Sequence, residues 1–253
     1  MFRTVLWMLA AVLITVLMLP FILVFKLISL FKPDGELPGA TGVVIRIVIP
    51  VMEKLAGVKF EVTGEENLPA AGPAGAAAAM YVGNHQGAFD ALVPLIHIGK
   101  TKSVVLKKEI SKVPLAGWML RFFGCIFLDR SSLKAQVACV NEMEAKLRAG
   151  KEVAVFPEGT RSKGPEMGEY KAGAFRAAIA AGAPVVPFVI DGSWRCWEAD
   201  RRLAPGTVKL SILEPVSTAG LTTKDAKELA ARVQYQTQQE LSRLRAEKGN
   251  PNA

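Results

Sequence analysis

The sequence predicts an α/β fold, a mixed sheet covered by helices, preceded by an N-terminal hydrophobic membrane-anchoring helical segment. From residue 58 onward, short runs rich in apolar and β-branched residues alternate with longer helical stretches, as in domains whose helices cover a sheet. Ahead of them, 22 consecutive residues carry no charge, enough for a helix to cross a hydrocarbon core of about 30 Å. We therefore expect two parts, membrane-anchoring helices at 1–57 and an α/β domain at 58–253.

The uncharged run at 4–25 has Trp7 and Phe25 near its two ends, where aromatic side chains favour the membrane interface. A cleaved signal peptide is the alternative, but the run is too long and the residues after it offer no small-residue cleavage site. Pro20 leaves open a hairpin that enters one leaflet instead of a spanning helix. The apolar stretch 41–58 predicts a helix that lies at the interface beside the first.

The composition is both basic and apolar, with a net charge of +8, 51% hydrophobic residues and a mean hydropathy of +0.28. This balance favours nucleic acid, anionic lipid or phosphorylated ligands as partners. Aromatic residues interleaved with basic ones, which single-stranded nucleic acid binders use for stacking, are missing. The cysteines Cys125, Cys139 and Cys196 form no CxxC pair, so we expect neither a metal site nor a disulfide framework.

Seven runs of mostly apolar residues predict strands, several of them apolar throughout, as strands buried in a covered sheet are. They lie at 58–62, 79–83, 103–106, 125–128, 152–156, 185–190 and 208–213. Helices are predicted at 131–150, which begins with capping serines, at 171–183, which stops at Gly182, and at 222–247, whose apolar residues form one stripe. The glycine-, proline- and alanine-rich residues 68–79 predict a flexible connector.

Several motifs of nucleotide and ester chemistry are absent from the sequence. No GxGxxG follows a predicted strand and no GxxxxGK[ST] is present, which argues against dinucleotides and nucleoside triphosphates as ligands. The GxSxG nucleophile elbow is missing too, which excludes an α/β-hydrolase of the usual kind.

The segment NHQGAFD, residues 84–90, contains one of only two histidines in the chain. His85 and Asp90 are five residues apart, a spacing that brings side chains together neither on a helix nor on a strand. A contact between them requires the backbone to turn, and Gly87 is the residue that permits the turn. Two interpretations stay open for this segment alone: a catalytic histidine–aspartate pair, or two unrelated polar residues in a loop.

The segment FPEGTRSKG, residues 156–164, directly follows a predicted strand, which its proline ends. The next four residues fall at the carboxyl end of that strand, where open α/β sheets bind ligands; they are Glu158, Gly159, Thr160 and Arg161. The planar guanidinium of Arg161 matches a phosphate monoester, and Glu158 is expected to orient this arginine or to meet a ligand hydroxyl. A surface turn with an exposed ion pair is the alternative.

Further cations follow two other predicted strands, Lys107 and Lys108 after 103–106 and Arg130 after 125–128. Carboxyl ends of parallel strands meet at one edge of a sheet, so we expect these cations near the same edge as Arg161. Single solvated lysines at such positions usually have no function.

In these segments the chain resembles the glycerolipid acyltransferase family, and within it the bacterial 1-acyl-sn-glycerol-3-phosphate acyltransferases. NHQGAFD, GCIFLDR at 124–130, FPEGTRS at 156–162 and VVPFVI at 185–190 match the four family blocks in order, and KAGAF at 171–175 matches its lysine–glycine–alanine segment. The hydrophobic N-terminal residues resemble the family's N-terminal helices. Many members carry serine or asparagine where this chain has Gly87, so a hydrogen bond from that side chain is lost here.

The resemblance implies an enzyme that transfers an acyl group from acyl-CoA or acyl carrier protein to the sn-2 hydroxyl of 1-acyl-glycerol-3-phosphate. His85 is expected to be the general base and Asp90 to hold its tautomer. Arg161, Lys107 and Arg130 are the expected phosphate contacts. The implied enzyme needs neither a metal nor a cofactor, works at the cytoplasmic membrane with its site on the cytoplasmic side, and has lysophosphatidic acid and the acyl thioester as its partners.

Within the family, the acceptor could instead be a lyso-ornithine lipid, another lysophospholipid or glycerol 3-phosphate. Outside it, a non-catalytic protein that binds anionic lipid would explain the charge and the hydrophobic segment but not the four blocks. The apolar run 113–128 is interpreted either as the lining of an acyl-chain slot or as a core helix followed by a buried strand. We expect His97 to be a packed or surface residue without a role.

Overall fold

The structure is a computed structural model that describes residues 2–31, 38–70, 78–99, 103–113, 117, 120–121 and 123–248. Its helices are α1 (Phe2–Phe31), α2 (Pro38–Ala56), α3 (Val93–Ile96), α4 (Leu133–Arg148), α5 (Gly173–Ala181) and α6 (Ala226–Lys248). Its strands are β1 (Val58–Thr63), β2 (Met80–Gly83), β3 (Ser103–Lys107), β4 (Ile126–Leu128), β5 (Val153–Val155), β6 (Val185–Asp191) and β7 (Gly206–Ile212).

The seven strands form one mixed sheet in the order β1-β7-β6-β2-β5-β3-β4. Strands β2 to β6 are mutually parallel, whereas β7 runs antiparallel to β6 and β1 runs parallel to β7. The carboxyl ends of β2, β5 and β6, in the middle of the sheet, therefore meet at one edge. Because β7 is reversed, the connection from β6 to β7 also stays at this edge.

Both faces of the sheet are covered at its middle, which explains why β2, β5 and β6 are buried along their whole length. On one face, Met80 and Val82 pack in a cluster with buried side chains of α4, α5 and α6. On the other, Tyr81 and Phe188 belong to a second cluster, which reaches the end of α2 and the short helix α3. Alternate residues of β2 thus enter opposite cores, as the pleat requires.

All seven predicted strands are present, each within two residues of its predicted ends. The three long helices of the α/β part are also confirmed: Ser132 caps α4 by accepting from Ala135 N, and Gly182 ends α5 in the left-handed region at φ 66. The predicted connector falls largely on residues 71–77, outside the described residues, and the apolar run 113–128 is described only in part.

The two N-terminal helices contact each other and the sheet domain. Trp7 Nε1 donates to Met52 O at 3.0 Å, and Leu203 N donates to Thr4 Oγ1 at 3.1 Å. Large apolar side chains of α1 are nevertheless exposed along much of its length. Among the helices described, none is both long enough and apolar enough to cross a membrane. The anchoring role of residues 1–57 stays a prediction.

Candidate active site

The segment that follows β2 is held against β6 by two buried amide side chains. Asn84 Nδ2 donates to Ile190 O and Asn84 Oδ1 accepts from Ile190 N, both at 2.8 Å. Two residues later, Gln86 Oε1 accepts from Gly192 N at 2.9 Å. Since side chains of an extended segment alternate, His85 between them points to the other side, toward the residues that follow β5.

A turn brings His85 and Asp90 into contact. His85 Nδ1 lies 2.8 Å from Asp90 Oδ2, and the same oxygen accepts from Gly87 N at 2.7 Å. The Asp90 side chain is 0% exposed and that of His85 is 18% exposed. The imidazole stacks on Phe156 with ring centroids 4.4 Å apart. Because Nδ1 is occupied by the carboxylate, Nε2 is the nitrogen left for a ligand; among the described residues it has no hydrogen-bond partner.

The role predicted for Gly87 in this turn is corrected by the structure. Gly87 has φ −148 and ψ 178, an extended conformation that any residue adopts. The reversal comes instead from the 3-10 helix Ala88–Leu92, which starts directly after it. Space here is tight, since a Cβ atom would lie 3.0 Å from Ser193 O, so a larger residue requires the 193–194 backbone to move by a few tenths of an ångström.

Glu158 is a buried carboxylate that joins two loops of the site. Its Oε1 accepts from His85 N at 2.7 Å and its Oε2 from Gly168 N at 2.9 Å. Burial raises the pKa of the Glu158 carboxyl above its ordinary value, and the two backbone N–H groups partly offset this rise. With 5% exposure and both oxygens occupied, Glu158 fixes the backbone of His85.

Arg161 lies in the same loop and is attached to the histidine segment through its neighbour, because Ser162 N donates to His85 O at 2.8 Å. The expectation that Glu158 orients Arg161 is wrong. The guanidinium forms its ion pair with Glu198, which lies 37 residues further along the chain. Glu158 is instead directed into the protein, where it is 5% exposed and accepts from His85 N and Gly168 N.

The other two predicted residues of this loop differ in what they contribute. Gly159 has φ 72, in the left-handed region that favours glycine, and its N–H donates to Phe156 O at 3.0 Å. It therefore shapes the turn after β5. Thr160 is exposed and stays a predicted substrate contact. Neither Gly87 N nor Gly159 N is free to stabilise an oxyanion, since each already donates to an oxygen of the protein.

Lys107 and Arg130 lie at the predicted edge but farther along it. Lys107 ends β3 and Arg130 follows β4, two and three strands away from β2 in the sheet order. At about 4.8 Å per strand, these offsets are roughly 10 and 14 Å. Lys107 Nζ lies 3.5 Å from Glu109 Oε1, and Arg130 is exposed. The structure does not bring either one to the dyad, so their phosphate-binding role stays a prediction.

The arrangement suits base catalysis on a phosphorylated substrate. A neutral imidazole with its proton on Nδ1 presents a basic Nε2, and the buried carboxylate stabilises the imidazolium after proton transfer. The partly exposed guanidinium nearby supplies a positive charge for an anion. Within the described residues, no group of three or more histidine, cysteine or acidic side chains is placed to hold a metal. Fold and site thus have the groups that general-base chemistry on a hydroxyl requires.

Sequence comparison narrows this chemistry. The chain belongs to the Acyltransferase family, whose family model matches residues 59–191. These residues contain the dyad, the Glu158–Arg161 loop and β6. Glu198 lies beyond the matched range.

Relatives and a solved structure agree with this assignment. The chain is 34% identical over 160 residues to the chloroplastic 1-acyl-sn-glycerol-3-phosphate acyltransferase LPAT1 of Arabidopsis thaliana, covering 62% of this chain and 44% of the relative. It is 31% identical over 196 residues to the human 1-acyl-sn-glycerol-3-phosphate acyltransferase alpha, covering 76% and 67%. The crystal structure of the 1-acyl-sn-glycerophosphate (LPA) acyltransferase PlsC from Thermotoga maritima matches with a TM-score of 0.75 and 25% identity, covering 97% of this chain and 95% of that one. The matched segment spans about half the length of the plant relatives, 44% and 49%.

Several residues that build the site were not found from the sequence. Asn84 and Gln86 flank His85 in the sequence, and the available signal is their alternation on one side of an extended segment, but their partners in and after β6 are distant. Phe156 belongs to the predicted strand 152–156, and its stacking on His85 is a tertiary contact without a sequence signal. Glu198 has no motif of its own, and its pairing with Arg161 depends on a tertiary contact that sequence patterns do not report.

Proposed function

We propose that this protein transfers an acyl group from an acyl thioester, acyl-CoA or acyl carrier protein, to the sn-2 hydroxyl of 1-acyl-glycerol-3-phosphate, forming phosphatidic acid. The observation that carries the proposal is the 2.8 Å contact between His85 Nδ1 and the fully buried Asp90 carboxylate, beside a loop that presents Arg161. Relatives named for this reaction support the choice of acceptor.

In the proposed reaction, His85 Nε2 accepts the proton of the sn-2 hydroxyl while that oxygen attacks the thioester carbonyl. Asp90 keeps the proton on Nδ1 and stabilises the imidazolium. When the tetrahedral intermediate collapses, the carbon–sulfur bond breaks and the imidazolium returns its proton to the departing thiolate. The substrate oxygen is the nucleophile, so the protein forms no covalent intermediate. Arg161 holds the acceptor phosphate through charge-assisted hydrogen bonds.

We place the protein at the cytoplasmic membrane, with the site on the cytoplasmic side, because the acceptor is a bilayer lipid. Exposed apolar side chains on α1 support this placement, since single soluble domains rarely expose so many together. They include Phe2, Leu6, Leu9, Leu13, Leu17 and Leu23. We propose that this surface and the exposed part of α2 contact lipid and keep the dyad near the level of the headgroups.

The test uses protein purified in detergent, 1-acyl-glycerol-3-phosphate and radiolabelled acyl-CoA, with acyl carrier protein thioester as a second donor. The wild type is expected to form phosphatidic acid and the variant His85→Ala to form almost none. The matched control, His97→Ala, removes the other histidine. Product from His85→Ala at the wild-type rate would contradict the general-base role. No product from the wild type with either donor would refute this acceptor and direct the assay to other lysolipids and glycerol 3-phosphate.

A further inference from the structure

The ion pair between Arg161 and Glu198 joins two loops at the carboxyl edge of the sheet. Arg161 follows β5, whereas Glu198 lies in the connection from β6 to β7. The Glu198 side chain is 8% exposed and that of Arg161 is 38% exposed. The carboxylate is therefore the buried, fixed partner, and the guanidinium extends from it toward solvent.

Each partner is also tied to the histidine segment. Ser162 N, next to Arg161, donates to His85 O at 2.8 Å. On the other side, Glu198 N donates to Trp194 O at 2.8 Å, within a turn whose start is bonded to the Gln86 side chain through Gly192 N. Since both loops are anchored to adjacent residues of one short segment, the ion pair sits at a defined place relative to the dyad.

The guanidinium keeps donors that Glu198 does not use. Its NH1 nitrogen donates to Glu198 Oε1, and among the described residues its other nitrogens have no hydrogen-bond partner. An arginine binds phosphate best with two parallel N–H groups along one edge of its planar fork. A carboxylate that holds one nitrogen restricts rotation of this long side chain and leaves the remaining donors directed away from the pair.

We propose that Glu198 is a positioning residue for the acceptor: it holds Arg161 so that the free donors of the guanidinium meet the acceptor's phosphate while the hydroxyl lies at His85. This inference rests on the proposed function, because it assumes that Arg161 binds the phosphate. Glu198 touches Arg161 and not the substrate, and it takes no part in proton transfer. Its removal leaves the dyad intact and makes the arginine's orientation variable.

The experiment measures steady-state kinetics of Glu198→Ala and Glu198→Gln, varying 1-acyl-glycerol-3-phosphate and the acyl thioester separately. Loss of orientation is expected to raise the KM for the acceptor about tenfold in Glu198→Ala. Glu198→Gln keeps an oxygen acceptor and is expected to show a smaller rise. The KM for the thioester is expected to stay at its wild-type value. Because Glu198 is a buried ion-pair partner, its removal also lowers the thermal midpoint, so the kinetics of every variant are measured well below its own midpoint. Glu144→Ala is the matched control, since it removes the glutamate partner of Arg148 on α4, far from the site.

A second arm repeats the Glu198→Ala substitution in an Arg161→Ala background. If Glu198 acts only through the arginine, the second substitution adds no further rise in acceptor KM. Three results would overturn the inference and leave the proposed function standing. They are an unchanged acceptor KM in active Glu198 variants, an equal rise in both KM values, and a full additional rise of the acceptor KM in the Arg161→Ala background. Absence of phosphatidic acid from the wild type would overturn both together.

Discussion

The two histidines of this chain make closely similar contacts and have different surroundings. His85 Nδ1 lies 2.8 Å from Asp90 and His97 Nε2 lies 2.9 Å from Glu53. Both carboxylates are buried, and each imidazole stacks on a phenylalanine, with centroids 4.4 and 4.1 Å apart. His97 was expected to be a packed or surface residue. The structure shows that it is packed, and that its partners are Glu53 and Phe60.

The differences between the pairs lie in sequence separation and in what surrounds them. Asp90 is five residues from its histidine, whereas Glu53 is 44 residues away, on α2. The first pair faces the loop that carries Glu158 and Arg161, at the carboxyl ends of β2 and β5. The second joins an N-terminal helix to the end of α3, which directly continues from the 3-10 helix that holds Asp90.

A histidine, a buried carboxylate and an aromatic ring do not by themselves make a catalytic site. In the first pair the carboxylate holds Nδ1 and leaves Nε2 for a substrate, next to a guanidinium. In the second pair Nε2 is held by the acid of α2, and the contact connects two parts of the fold. We therefore expect the first pair to control rate and the second to control stability.

The largest expected effect is the contrast between His85→Ala and His97→Ala. Removing a general base lowers kcat by about 10²- to 10⁴-fold, whereas His97→Ala is expected to keep kcat within about threefold, assuming the usual small effect of residues distant from the reacting atoms. Acyl transfer is measured well below both thermal midpoints. Equal losses in the two variants would contradict the division between the pairs.

A somewhat smaller effect is expected when the carboxylates lose their charge. Asp90→Asn removes the charge that stabilises the imidazolium and is expected to lower kcat by roughly 10²-fold or more, with little change in KM. Glu53→Gln is the matched substitution in the other pair and is expected to leave kcat nearly unchanged. The pH dependence of kcat distinguishes a lost counter-charge from a misfolded site, because only the former moves the pH profile while the thermal midpoint holds.

The second pair is expected to dominate in stability measurements. Glu53→Ala leaves the His97 ring without its partner and is expected to lower the free energy of unfolding by about 1–3 kcal/mol, or some 2–4 °C in thermal midpoint per kcal/mol for a chain of this size. His97→Ala is expected to lower the free energy of unfolding by less in the Glu53→Ala background than in the wild type. If the two substitutions lower the free energy of unfolding additively, the His97–Glu53 contact does not contribute to stability.

The smallest effect concerns Glu158, beside the first pair. Its pKa is raised in the folded state by burial, so its contribution to stability is full below the ordinary glutamate value of 4.5 and is lost as the pH rises through the raised pKa. Relative to Glu158→Gln, the wild type is expected to lose free energy of unfolding as the pH rises through this raised pKa. Chemical denaturation of both proteins from pH 4 to 8, in steps of about half a unit, measures the difference. If the free energies of unfolding of the two proteins change with pH in parallel, the raised pKa of Glu158 is refuted.

Much of the fold was predictable because its signals are local. Short apolar runs located all seven strands, and Ser132 and Gly182 marked helix ends through cap geometry. The strand ends then placed His85 and Arg161 at one edge of the sheet. The order of strands, with reversed β7 beside β6, is not encoded in any local pattern.

The parts of the site that were missed depend on contacts between distant residues. Glu198 pairs with Arg161 across 37 residues, and Asn84 bonds Ile190 across 106. The space around Gly87 is limited by Ser193, a residue 106 positions away, and its own φ is ordinary extended backbone. Such requirements arise only when separate loops are packed together.

The reversal of β7 has a consequence for how this enzyme type can diversify. Because β6 and β7 are antiparallel, the 14 residues between them, 192–205, return along the catalytic edge without a crossover helix. The two strands pair directly with each other, but their connection is also part of the fold: Cys196 and Leu203 are buried in the core, and Gly192 N donates to the Gln86 side chain. The exposed residues 199–202 are therefore the part of this connection that can vary most freely, whereas its buried residues also hold the segment that carries His85 and Asp90.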